Sequence, residues 1–90
     1  MQKNQSVILK SFNNLLEDPE PTDPSEDFWK LIGSSGVIIA TADELNFHDK
    51  NRVLVKFDFS LDDLGLVNHN QFDNSLWILK SDLEDFVGDL

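Results

Sequence analysis

Between residues 51 and 59 the chain alternates, with Val53, Val55, Phe57 and Phe59 separated by Leu54, Lys56 and Asp58. This is the period-two pattern of a half-buried strand. Two shorter apolar runs, 37–40 and 76–79, stand on either side of it in the sequence. A small antiparallel sheet with the 51–59 strand at its centre buries all three. In the last run Trp77 and Leu79 fall on one face and Leu76 and Ile78 on the other, so one of these pairs needs a cover. Trp29 and Trp77 are read as core rings, with interface anchoring as the alternative.

A different spacing marks the two ends. Val7, Ile8, Leu9, Phe12, Leu15 and Leu16 fall near helical positions, with Lys10, Ser11, Asn13 and Asn14 on the other side. That predicts an amphipathic helix over 5–16, docked on the sheet. Residues 17–26 hold Pro19, Pro21 and Pro24 among five carboxylates, which forbids continuous helix and predicts an extended acidic linker. Ser25 as N-cap and Gly33 as stop suit a helical turn at 26–32, with an extended segment as the competitor. Gly33, Ser34, Ser35 and Gly36 read as a turn, and 60–74 as a long loop of the kind that often carries function. Ser81 and Glu84 have capping-box spacing, predicting a short helix over 81–87. The expected fold is α+β, mainly β: one domain spanning 1–90, with the helix at 5–16, the linker at 17–26 and a β-rich core at 27–87.

Charge narrows the partners. Seventeen Asp and Glu against seven Lys and Arg give −10, which disfavours nucleic acid and anionic membranes and favours a basic protein surface. Carboxylates gather at 17–27, 58–63 and 82–89, three segments that could meet on one edge. The chain has no cysteine, so it holds together by packing alone and suits a reducing cytoplasm. No apolar run has the length of a membrane span or the flanks of a signal peptide.

Candidate chemistry is sparse. His48 with Asp49, and His69 with Asn70 and Asp73, supply imidazoles and carboxylates, yet a metal centre needs three or more ligands converging in space. Asp58, Ser60, Asp62 and Asp63 superficially match a calcium loop but lack its glycine and terminal glutamate. Gly33 to Gly36 lacks the lysine and third glycine of a phosphate cradle. No catalytic residue, metal or cofactor is expected. The expected partner-binding residues are Asp58, Asp62, Asp63, His69, Asn70, Phe72 and Asp73, with carboxylates steering and Phe72 or the amides making close contacts.

The succession Phe28-Trp-Lys-Leu-Ile-Gly33, Gly36-Val-Ile, Arg52-Val-Leu-Val-Lys-Phe57, Asn74-Ser-Leu-Trp-Ile-Leu79 and Asp82-Leu83 resembles small SH3-like barrels. That resemblance implies an antiparallel SH3-like barrel or curled sheet. An acidic, cysteine-free chain of this size also resembles the immunity proteins that neutralise bacterial nuclease toxins, including those of contact-dependent inhibition. This second resemblance implies a cytoplasmic, non-catalytic inhibitor of a basic toxin domain, and the first an adaptor or assembly subunit of a larger complex.

Overall fold

The computed structural model describes residues 2–17, 27–66, 72 and 74–86. Five strands form one sheet: β1 (Ser6–Leu9), β2 (Ser35–Thr41), β3 (Arg52–Phe57), β4 (Ser75–Leu79) and β5 (Leu83–Asp85). Their spatial order is β4-β3-β2-β1-β5, and every neighbouring pair is antiparallel. Among the described residues the remaining regular structure is three 3₁₀ turns, at Phe28–Leu31, Asp62–Leu64 and Lys80–Asp82. The described residues therefore form an all-β domain rather than the expected α+β one.

The predicted 5–16 helix is absent. Val7 and Leu9 are buried while Ser6 and Lys10 are exposed, a period of two that the apolar cluster at 7–9 conceals. β1 pairs on both sides, with β2 and β5, so its backbone groups are satisfied across the sheet instead of along a helix. Beyond it, Phe12 bridges Leu15 around Asn13 and Asn14, whose φ values are 52° and 63°. Two successive left-handed residues make a primed hairpin turn, which asparagine tolerates and a right-handed helix cannot contain.

The predicted 81–87 helix is likewise overturned, with residues 87–90 outside the described set. Ser81 caps nothing; its hydroxyl donates to Asn14 Oδ1 at 2.7 Å. Leu83–Asp85 is a strand paired to β1, and the Asp82 carboxylate is wholly buried. Ser11 Oγ donates to that carboxylate at 2.7 Å, the Asn13 N–H at 2.9 Å and the Asn14 N–H at 2.8 Å. Arg52 Nη2 reaches Asn13 Oδ1 at 2.9 Å. The Asn13–Asn14 turn is thus tied both to the start of β3 and to the 3₁₀ turn after β4, and the sheet curls to bring them together.

The sheet has two buried faces. Val7, Leu9, Ile38, Val53, Val55, Phe57, Leu76, Ile78 and Leu83 form the main core, with Leu31, Leu61 and Leu66 closing it from the connections. The strand centred on β3 is second in the order, and β2 is central. A bulge between Ile38 and Ala40 shifts the β2–β3 register, so Ile38 opposes Val55 in the core while Ala40 opposes Leu54 on the other face. Leu54 is also opposite Trp77, and Phe47 stacks on Trp77 with centroids 4.0 Å apart and planes 6° apart. The β2–β3 loop thereby covers the outward face of β4, which is the cover that Trp77 needed. Trp29 packs edge-on against Phe12 at 4.9 Å and 78°, and its buried Nε1–H has no acceptor among the described residues.

Gly36 lies within β2 rather than in a turn, and close approach explains its identity. A Cβ there would stand 2.6 Å from the Lys56 carbonyl oxygen and 2.9 Å from Val55 Cγ1. Gly33 does turn the chain, at φ 92°, after the 3₁₀ helix at Phe28–Leu31, which decides for helix over strand there. No helix among the described residues is long and apolar enough to cross a membrane.

Candidate functional site: the β3–β4 connection

β3 ends at Phe57, not Phe59. The Asp58 N–H donates to the Ser35 carbonyl at 3.0 Å and its carboxylate accepts from Ser35 Oγ at 2.6 Å, which turns the chain away from the ladder. Phe59, expected on the buried face, is consequently 59% exposed. Leu61 and Leu66 are buried, and the Leu66 N–H donates back to the Leu61 carbonyl at 2.8 Å. Anchored by these two leucines, the short turn between them projects Asp62 and Asp63 into solvent. Gly65 ends it at φ 73°. The Leu61 N–H also donates to Asn74 Oδ1 at 3.2 Å, which places this turn beside the residue that precedes β4.

Four of the expected contact residues are thus located. Asp58, Asp62 and Asp63 are exposed on this connection, and Phe72, 40% exposed, lies two residues before Asn74, its carbonyl accepting from Ser75 Oγ. His69, Asn70 and Asp73 fall outside the described residues. Sequence reasoning missed Phe59, because alternation continued one step past the point where Asp58 and Ser35 break the ladder.

The electrostatics of this connection differ from those of the β2–β3 loop. There, Asp43 pairs with Lys50 at 3.5 Å, Glu44 with Lys3 at 3.4 Å and Asp49 with Arg52 at 3.1 Å. The Asn51 backbone N–H, and after it the Arg52 guanidinium, hold the Asp49 carboxyl below the ordinary carboxylate range. Asp58, Asp62 and Asp63 have no ion-pair partner among the described residues. Of the described acidic residues, Asp82 is turned inward, while Glu84 and Asp85 lie on β5, which pairs with β1 and not with β4. Residues 18–26 and 87–89 lie outside the described set.

His48 is exposed and lies against Phe47 at 4.4 Å between centroids. Among the described residues no group of three or more His, Cys, Asp and Glu side chains is placed to hold a metal. A cleft lined by Asn14, Asn51, Leu79, Lys80 and Ser81 lies beside the primed turn. No family model, curated protein or solved structure matches the chain.

Proposed function

We propose that this chain is a non-catalytic protein-binding module whose β3–β4 connection meets a basic protein surface. The concrete form of the proposal is a cytoplasmic immunity or inhibitor protein for a basic toxin domain, such as a nuclease. One observation carries the reading: among the described residues Asp58, Asp62 and Asp63 have no ion-pair partner, while the β2–β3 carboxylates do. Charge left uncompensated beside the exposed rings of Phe59 and Phe72 supplies long-range attraction and short-range apolar contact in one place. Carboxylates of this kind speed encounter, and a desolvated aromatic slows departure.

The test is capture from the extract of the cell that encodes the chain, at low and high salt, by the wild type and by D58N/D62N/D63N. A basic protein retained at low salt by the wild type and lost by the triple variant is the expected result. Equal retention by both chains, or partners indifferent to salt, refutes the reading. A second reading, an SH3-like adaptor or assembly subunit, is supported by the four-strand meander whose first strand is joined by β5 directly after a 3₁₀ turn. It predicts association through exposed Leu15 and Leu16, and light scattering that shows a monomer at all concentrations opposes it.

A further inference from the structure

The two edges of the sheet are guarded unequally. β5 is three residues long and carries Glu84 and Asp85, the short, charged form by which sheets discourage further pairing. β4 is Ser75, Leu76, Trp77, Ile78 and Leu79, five residues without a charge or a proline, in uninterrupted register with β3. The Phe57 N–H donates to the Asn74 carbonyl and the Lys80 N–H to the Asn51 carbonyl. Since bonded and non-bonded pairs alternate along an antiparallel ladder, Trp77 and Leu79 belong to the non-bonded pairs and direct their N–H groups away from β3. Neither N–H has a partner among the described residues. The Trp77 carbonyl on that edge accepts from Arg52 Nη1 at 3.1 Å.

We infer that the β4 edge receives an extended segment of the basic partner as an added strand. The inference rests on the proposed reading and names its mode of contact. A second copy of this chain is a poor occupant, because each copy carries −10 and edge-to-edge pairing brings like charge together. A basic strand fits: running along β4 it passes the Asp62–Asp63 turn, which the Leu61–Asn74 hydrogen bond holds at the β4 start. Its carbonyls accept from Trp77 and Leu79, and its own N–H takes the Trp77 carbonyl from Arg52. Arg52 retains Asp49 and Asn13. Main-chain pairing then supplies affinity and the alternating side chains supply selectivity.

Leu79 offers a clean perturbation, since its φ of −59° already matches proline. Leu79→Pro deletes an outward N–H and leaves the β3 ladder whole. The probe is a short synthetic peptide alternating Arg and Val, titrated into the isotope-labelled full chain, against the same peptide N-methylated on alternate backbone amides. The expected result is slowed amide exchange at Trp77 and Leu79 with the first peptide alone, and binding about tenfold weaker to Leu79→Pro, the scale of one or two lost hydrogen bonds. Equal response to both peptides, confined to 58–63, overturns strand addition while leaving the acidic docking surface in place. Protection at Trp77 and Leu79 that rises with protein concentration and without peptide overturns the choice of occupant. Binding of neither peptide overturns strand addition as well, and the proposed reading is then judged on salt-dependent capture alone. A thermal melt of Leu79→Pro close to wild type separates a lost edge from a lost fold; if the variant unfolds, the N-methylated peptide decides by itself.

Discussion

Replacing Asp82 tests how the curled sheet is closed. The carboxylate is 0% exposed and accepts from one hydroxyl and two backbone N–H groups, while its main-chain carbonyl accepts from the Lys10 N–H at 2.9 Å. Hydrogen bonds to a charged group contribute about 1.5–3 kcal/mol each, but the three are not additive here. Asn13 and Asn14 are exposed, so once the turn detaches, water satisfies their N–H groups. Asp82→Ala is therefore expected to destabilise by about 3–5 kcal/mol, the scale of one or two charged hydrogen bonds not regained from water. Asp82→Asn conserves volume. Its carbonyl oxygen can still serve Ser11 and Asn14, the two donors that share Oδ1, but its amide then meets the Asn13 N–H donor to donor. About 2–3 kcal/mol is expected, one charged bond lost with one donor left facing another. The assay is urea unfolding followed by tryptophan fluorescence, read as a shift of midpoint at unchanged slope. A loss for Asp82→Asn under about 0.5 kcal/mol, the scale of an ordinary surface change, refutes the argument that this carboxylate holds the turn.

Gly36→Ala is expected to lose about 1–3 kcal/mol of stability in the same assay, as for an overpacked core, because the added Cβ would sit 2.6 Å from the Lys56 carbonyl oxygen; an unchanged midpoint counts against that contact. Asn13→Val places a β-branched residue at φ 52° and is expected to cost about 1–2 kcal/mol, read as a lower melting temperature. Asp49 is expected to titrate below the ordinary carboxylate range in a carbon-detected NMR titration, since the Asn51 N–H and the Arg52 guanidinium favour its charged form. The sign follows: with a folded pKa below the unfolded one, its contribution is complete above the unfolded value and disappears as pH falls through the folded one. Arg52→Gln is expected to move the Asp49 titration back up only in part, because the Asn51 N–H is the larger cause.

Much of the sheet was legible in the linear chain. The alternation at 51–59 maps onto β3, because a period of two has few other uses, and the short apolar runs at 37–40 and 76–79, each bounded by polar or turn residues, map onto β2 and β4. The prediction failed where apolar residues were adjacent. Val7, Ile8 and Leu9 satisfy either periodicity, and only pairing with both β2 and β5 decides for the strand. A local signal for that outcome did exist: Asn13-Asn14 is a primed-turn dipeptide and a poor helix interior. Ser81 and Glu84 carried a helix signal that the fold overrides, since burying Asp82 against three donors commits the chain to a turn and then to β5.

For the candidate site, composition alone established an acidic chain without cysteine, and the order of residues placed Asp58, Asp62, Asp63 and Phe72 in one connection. Which carboxylates keep their charge unneutralised was decided only in three dimensions. Lys3 and Glu44 lie far apart in sequence yet meet across the sheet, whereas no lysine or arginine among the described residues reaches the β3–β4 turn. The exposure of Phe59 and the outward N–H groups of Trp77 and Leu79 were likewise settled by the tertiary structure. Strand order determines which ladder lacks a neighbour, and that order depends on long-range pairings to which local periodicity is blind.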